Sequence, residues 1–109
     1  IDYVRAEFAT VGARPPVWIT EAGYASDPAW QRLAGYGRGP EGQARWMADM
    51  LPALLQLGAD RVFWFQLFDG FGGPSFSTHG LLDRYGNAKP AFVTLTSLAA
   101  GSQRAGGHD

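Results

Sequence analysis

Two short apolar segments, each ending in a carboxylate, are the feature that most restricts the fold of this 109-residue chain. The first runs from Val17 to Thr20 and is followed by Glu21. The second runs from Arg61 to Phe68 and is followed by Asp69. Both are rich in β-branched and aromatic residues, which favour strands. The second is almost continuously apolar, which predicts a strand of a parallel sheet that is buried on both faces.

Segments with helical periodicity lie before, between and after the two predicted strands. Apolar residues recur at three- and four-residue spacing in residues 1–11, 40–57 and 90–99. Pro52 lies inside the second segment and predicts a kink or a break there. The order helix, strand, helix, strand, helix, with long loops after the strands, is typical of βα repeats. We therefore predict an α/β fold with two parallel strands and about three helices.

Such a unit is expected to need neighbours, because two parallel strands alone leave both edges of the sheet unprotected. The chain starts at Ile1 without Met, and 14% of its residues are aromatic against only 17% charged. Small domains rarely bury that much aromatic surface by themselves. We expect residues 1–100 to belong to a larger domain and residues 101–109 to form a flexible polar tail.

Charge and composition exclude several classes of function. Nine basic and ten acidic residues are spread along the chain, which leaves no basic stripe for nucleic acid or for an anionic membrane surface. The chain has no cysteine, and no glycine-rich phosphate loop precedes its only lysine. His79 and His108 do not make a metal site. We therefore predict no cofactor and no metal, and the sequence indicates no cellular compartment.

Glu21 is the strongest candidate for a chemical role, because it directly follows a strand. Alternation predicts that Val17, Ile19 and Glu21 share one face, with Glu21 at the carboxyl end of that column. A carboxylate held there suits a nucleophile or a general acid or base. The alternative is a structural carboxylate that accepts hydrogen bonds from the backbone N–H groups of Ala22 and Gly23.

Three stretches of the chain together resemble part of a known family. They are residues 16–24 (PVWITEAGY), 58–69 (GADRVFWFQLFD) and 80–92 (GLLDRYGNAKPAF). In this order they resemble the seventh strand, the eighth strand and the turn into the last helix of clan-A glycoside hydrolases, the cellulase-like and β-xylosidase-like families. The resemblance implies that residues 1–100 are the C-terminal quarter of a (β/α)8 TIM barrel.

The same resemblance implies a retaining glycoside hydrolase with Glu21 as the nucleophile. In that mechanism a second, protonated carboxyl group about 5 to 5.5 Å away protonates the leaving oxygen and later activates water. The family holds this acid/base in an Asn-Glu pair at the fourth strand, and the present chain has no such pair, since Glu7 and Glu41 fall on predicted helices. We therefore expect the isolated chain to be inactive, with the rest of the barrel as its partner and carbohydrate as substrate.

Further residues near the strand ends and in the long loops are candidates for substrate binding. The resemblance makes Trp64 the aromatic floor of the sugar site, although an aromatic residue inside an apolar strand is usually core. Gln66 lies nearer the strand end, where it can reach a hydroxyl or Glu21. Asp69 follows the neighbouring strand and can approach Glu21, as a substrate contact or as a second catalytic carboxylate, but an Asp before Gly is common in turns. His79 can reach the cleft from the last loop, but a lone His is more often structural. The long loops contribute four aromatic residues that can line subsites or, as the alternative, pack against the barrel rim: Tyr24, Trp30, Tyr36 and Phe71.

Two other functions remain open from the sequence. The first is a non-catalytic carbohydrate-binding or self-assembling structural unit, whose strand edges and aromatic surface are covered by further copies. The second is a metal-dependent barrel hydrolase that uses Asp69. The lack of histidine near a strand end argues against the second.

Overall fold

The computed structural model describes residues 1–31, 35–70 and 77–106. Within these residues it contains three α-helices, α1 (Asp2–Ala9), α2 (Gly39–Gln56) and α3 (Pro90–Gly106). Two strands, β1 (Trp18–Ala22) and β2 (Arg61–Trp64), form a parallel sheet. The predicted α/β order of elements is therefore confirmed. None of the described helices is long and apolar enough to cross a membrane.

The pairing of β1 with β2 contains a register shift next to Glu21. Ile19 is paired with Val62 and Ala22 with Trp64, so β1 advances three residues where β2 advances two. A bulge of this kind interrupts the alternation of side chains between the two faces. Ile19 and Ala22 consequently share the half-buried face, whereas Glu21 is exposed. The predicted alignment of Glu21 with Ile19 is therefore wrong.

Helices α2 and α3 cover one face of the sheet. Met47 and Leu51 of α2 meet Leu81 and Ala91 in the core, and Met47 is completely buried. The partly buried side chains that pack against this cluster come from β2 and α3: Val62, Trp64, Phe92, Leu95 and Leu98. Residues of β2 alternate between exposed and half-buried, so only one of its faces is covered, not both as predicted.

Strand β2 ends at Trp64, four residues before its predicted end at Phe68. The residues that follow change their hydrogen-bonding partner. The N–H of Leu82 donates to Leu67 O at 2.9 Å, and the N–H of Asp69 donates to Leu82 O at 2.9 Å. Residues 67–69 thus pair with the segment around Leu82 instead of with β1.

Two helices and one turn differ from their predicted limits. Helix α2 continues through Pro52 to Gln56. Helix α3 extends to Gly106 because the residues beyond Ala99 include the helix-favouring Gln and Arg, while Gly101 costs only about 1 kcal/mol. Residues 101–106 of the predicted flexible tail are therefore helical, and 107–109 lie outside the described residues. In the loop after β1 the sequence predicts at most one short helical turn, around Trp30 to Leu33. The structure has a 3-10 turn at Pro28–Trp30, and Leu33 lies outside the described residues.

Arg5 fixes α1 to the amino end of the sheet. Its guanidinium donates to Gly58 O at 2.5 Å and to the Asp60 carboxylate at 3.1 Å. Asp60 also accepts a hydrogen bond of 2.6 Å from the N–H of Val17. This backbone hydrogen bond, assisted by Arg5, lowers the pKa of Asp60 below its ordinary value of 3.8. The amino ends of both strands are thereby held together, opposite the end that carries Glu21.

Candidate functional site

Glu21 is exposed at the carboxyl end of β1. Among the described residues, its carboxylate has no hydrogen-bond or ion-pair partner. The structural role considered above, as an acceptor for the N–H groups of Ala22 and Gly23, is therefore not observed in that part of the chain. The strand fixes the position of the backbone, and the carboxylate remains open to a solute.

The uncovered face of the sheet carries three large aromatic side chains, Trp18, Phe63 and Phe65, which we call the open sheet face. They are 54%, 44% and 39% exposed. The rings of Trp18 and Phe63 have centroids 5.7 Å apart, and the Arg61 guanidinium lies 5.5 Å from the Trp18 ring. These residues are not among the candidates predicted from the sequence, although alternation along the predicted strand from Arg61 to Phe68 puts Phe63 and Phe65 on the face opposite Trp64.

Trp64 lies on the helix-covered face. Its ring meets Trp46 of α2 edge-on with centroids 5.9 Å apart, and its Nε1–H donates to the backbone oxygen of His79 at 2.9 Å. It packs against the core cluster together with Val62. Because successive side chains of a strand point to opposite faces, Trp64 cannot share the open sheet face with Phe63. The aromatic side chain that the structure offers there near the end of β2 is Phe65.

Asp69 is buried and paired, so it is not available to a substrate as the sequence predicted. Its Oδ1 accepts hydrogen bonds from the Lys89 ammonium at 2.5 Å and from the N–H of Gly80 at 2.9 Å. The two side chains are only 7% and 9% exposed. Charges buried to this extent require compensating partners, because their desolvation is costly. Asp69 therefore serves to hold Lys89 and the loop at Gly80.

Lys89 connects the loops that follow both strands. Besides Asp69, its ammonium donates to Ser26 Oγ at 3.0 Å, in the loop after β1, and to Thr78 O at 3.1 Å, in the loop after β2. The N–H of Ser26 donates to the same Thr78 oxygen at 2.9 Å. We call Ser26, Asp69, Thr78 and Lys89 the Lys89 network. It fixes the loops at the end of the sheet where Glu21 lies.

Gln43 of α2 also connects the loops that follow the two strands. It is completely buried, and its amide nitrogen donates to Tyr24 O at 2.8 Å and to Gly80 O at 3.3 Å. One side chain of the helix thus holds the loops after β1 and after β2. Sequence reasoning missed both Gln43 and Lys89, whose only signal was that polar residues sit next to apolar core positions.

Tyr24 is buried beneath these loops. Its ring stacks on Trp46 at 5.2 Å with an interplanar angle of 7°, and it meets Tyr36 edge-on at 6.5 Å. The predicted subsite residues Tyr24 and Tyr36 therefore contribute to aromatic packing. Trp30 is 63% exposed, and Phe71 lies outside the described residues.

His79 and Gln66 lie beside the ends of both strands. The His79 ring is 6.1 Å from the Phe65 ring, and Ser77 Oγ is 2.8 Å from His79 Nδ1. A side chain on Gly23 would contact the His79 ring and the backbone oxygen of Phe65, so glycine permits this close approach. Gln66 is half-buried, and its N–H donates to His79 O at 3.4 Å.

The pKa of His79 is lowered below its ordinary value of 6.5. The main cause is its partial burial, which disfavours the charged imidazolium, and the positive charge of Lys89 adds to the effect. The carboxylate of Asp69 acts in the opposite direction. His79 is therefore neutral at neutral pH.

No protein-family model and no curated protein matches this chain. The geometry of the site is therefore what indicates its chemistry. That geometry combines an exposed carboxylate at a strand end, an uncovered aromatic face and a neutral imidazole near the ends of the same strands. Among the described residues, no group of three or more acidic or histidine side chains lies close enough together to hold a metal ion.

Replacement of Lys89 by Met is expected to lower the free energy of unfolding by about 3–5 kcal/mol, because it leaves the buried Asp69 carboxylate without its charge partner. Chemical denaturation monitored by tryptophan fluorescence measures the loss. The double variant Asp69→Asn, Lys89→Met should recover much of it, and Arg61→Met, which removes an exposed cation, should change little. Equal stability of the Lys89 variant and the native chain would show that the pair does not hold the loops.

The stability of the chain should fall in acid because of His79. Its pKa is lower in the folded than in the unfolded chain, so the unfolded chain binds more protons below pH 6.5. The contribution is complete above 6.5 and is lost as the pH falls towards the folded-state pKa. Denaturation curves between about pH 8 and about pH 5 should show this slope, and His79→Gln should reduce it. His108→Gln is the control, and a slope unchanged in the His79 variant would contradict the assignment.

Proposed function

We propose that this chain is the nucleophile-bearing part of a retaining glycoside hydrolase with a (β/α)8 barrel, and that Glu21 is the nucleophile. The observation that carries the proposal is the exposed carboxylate of Glu21 at the carboxyl end of a parallel strand. In (β/α)8 enzymes the catalytic residues lie at this end of the strands. The resemblance of residues 16–24 to the seventh strand of such enzymes supports the same role.

The distribution of burial in the sheet agrees with this proposal. Helices α2 and α3 pack on the face of β2 that carries Val62 and Trp64, as the outer helices of a barrel do. The open sheet face then corresponds to the barrel interior, where further strands would surround Trp18 and Phe63. On this interpretation, the exposure of these rings reflects the absence of neighbouring strands around this unit.

The proposed reaction begins with attack of a Glu21 carboxylate oxygen on the anomeric carbon. The bond between that carbon and the leaving oxygen breaks, the leaving oxygen takes the electron pair, and a glycosyl ester of Glu21 results. A protonated carboxyl group must supply the proton to an ordinary sugar leaving group, and then deprotonate the water that hydrolyses the ester. Glu7 and Glu41 lie on α1 and α2, so the second carboxyl group has to come from another part of the barrel.

Substrate contacts follow from the same arrangement. Phe65 presents an aromatic surface on which the C–H face of a sugar ring can pack. His79 and Gln66, next to it, can supply polar contacts to sugar hydroxyl groups. The Lys89 network holds the loops around these residues, so Asp69 acts on the site through the position of the loops.

Covalent labelling tests Glu21 without the missing acid. A 2-deoxy-2-fluoro sugar with a dinitrophenolate leaving group needs no protonation, and the fluorine slows hydrolysis of the glycosyl ester. Incubation of the chain with the glucosyl and xylosyl forms should add one fluorosugar to the peptide that contains Glu21, as detected by mass spectrometry. Glu21→Gln should abolish the label because an amide is a poor nucleophile.

Glu41→Gln is the matched control, since it removes an exposed glutamate from helix α2 and should leave the labelling intact. Labelling at another residue, or equal labelling of the Glu21→Gln variant, would contradict the assignment. The absence of any label on the native chain with both sugars would contradict it as well.

A second candidate function is that of a self-assembling unit, and the open sheet face favours it. Beyond its three aromatic rings, Leu67 and Phe68 are also exposed, at 53% and 43%. An uncovered apolar surface next to a strand edge is typical of an interface. In this function the surface is buried by further copies of the chain.

Light scattering of the purified chain distinguishes the two functions. A self-assembling unit should give one discrete oligomer, which Trp18→Thr together with Phe63→Thr should dissociate because the change removes apolar area from the interface. Tyr85→Thr is the control, because Tyr85 is 75% exposed and lies outside both strands, in the turn closed by the hydrogen bond from Gly86 N–H to Asp83 O. Heterogeneous aggregates, or an oligomer that persists in the double variant, would rule out assembly through this face.

A further inference from the structure

Ser77 makes two hydrogen bonds to His79, one to the imidazole and one to the backbone. Ser77 Oγ lies 2.8 Å from His79 Nδ1 and accepts a hydrogen bond of 3.3 Å from the backbone N–H of His79. Both residues are half-buried. The sequence around Ser77 contains no recognisable motif of a nucleophilic serine. Its contacts with His79 indicate a role in positioning the imidazole instead.

The other edge of the imidazole faces the carboxyl ends of the strands. The Cδ2 atom, which is bonded to Nε2, lies 3.5 Å from the position that a side chain on Gly23 would occupy. The ring is also tilted against Phe65 at 6.1 Å. Gly23 follows Glu21 by two residues, so this edge of His79 belongs to the same end of the sheet.

We propose that Ser77 is a positioning residue that holds His79 in the Nε2–H tautomer, so that Nε2–H donates a hydrogen bond to a hydroxyl oxygen of a sugar bound beside Glu21. The ligand part of this inference rests on the proposed function. In this proposed arrangement one lone pair of the Ser77 hydroxyl accepts from the His79 backbone N–H, and the hydroxyl proton is donated to Nδ1, which lies 2.8 Å from Oγ. With Nδ1 occupied as an acceptor, the ring proton of the neutral imidazole resides on Nε2.

A neutral donor at this position fits the chemistry of a sugar. The partial burial of His79 and the nearby Lys89 charge keep the ring uncharged at neutral pH. An uncharged N–H donor binds a hydroxyl oxygen without adding a positive charge next to the Glu21 carboxylate. Ser77 thus acts on the substrate through His79 and does not contact the reacting atoms.

Nuclear magnetic resonance of the histidine rings in the full ¹⁵N-labelled chain tests the tautomer directly. At about pH 8 the His79 ring should show an unprotonated Nδ1 and a protonated Nε2. Ser77→Ala should shift the nitrogen signals towards a mixture of tautomers, and Ser77→Thr, which keeps the hydroxyl, should restore the native pattern. His108 supplies the reference signal. A native ring protonated on Nδ1, or an unchanged pattern in Ser77→Ala, would overturn the proposal.

Titration of the same samples with cellobiose and xylobiose tests the ligand. The His79 ring signals should move with at least one of the sugars, and Ser77→Ala should weaken that affinity about 3- to 10-fold, the effect of one misplaced hydrogen bond. Ser97→Ala on α3 is the matched control, since Ser97 is exposed and its loss should alter neither the tautomer nor the affinity. An unaltered fold in Ser77→Ala is checked by the backbone spectrum of the other residues.

The two proposals fail in different ways. A chain that is labelled by the fluorosugar at Glu21, but whose His79 signals respond to neither disaccharide, overturns the inference on His79 and leaves the proposed function standing. Absence of the label at Glu21 contradicts the proposed function and, with it, the proposed hydrogen bond from His79 to a sugar hydroxyl. In that case the tautomer measurement still decides whether Ser77 positions the ring.

Discussion

The buried ion pair between Lys89 and Asp69 is the interaction on which the arrangement of the site depends. Burial of two charges is costly unless partners compensate it, and here the Lys89 ammonium donates to three acceptors while Asp69 Oδ1 accepts two hydrogen bonds. Lys89 reaches acceptors in the loops after both strands, and Asp69 also accepts from Gly80. The pair therefore connects the loops that follow both strands. It fixes the backbone around Thr78, from which Ser77 and His79 take their positions.

Packing on only one face of the sheet is the second constraint. The core of α2, α3 and β2 buries Val62 and Trp64, while the alternation of the strand leaves Phe63 on the other side. This division explains how one short strand contributes both to the core and to an uncovered aromatic surface. Glu21, near the end of the neighbouring strand, is exposed, and the pairing of β1 with β2 holds its backbone in place.

Much of the fold was predictable from periodicity. The order of helices and strands and their parallel arrangement follow from local patterns, because each element needs an apolar face of a fixed period. The limits of β2 were less predictable, since residues 67–69 pair with the segment around Leu82, and no local signal encodes that exchange. The candidate site was predicted in part: Glu21 lies at a strand end as expected, whereas Asp69 is buried in an ion pair.

The sequence by itself determined which elements form and that a carboxylate follows the first strand, because these depend on residues close together in the chain. Tertiary structure decided which side chains meet. The register shift in β1 separated Glu21 from Ile19, and the alternation in β2 assigned Trp64 to the core side and Phe63 to the open sheet face. Lys89 contacts Asp69, which is 20 residues away in the sequence, and Ser26, which is 63 residues away. Such contacts depend on packing between distant segments, and a one-dimensional pattern carries no information about that packing.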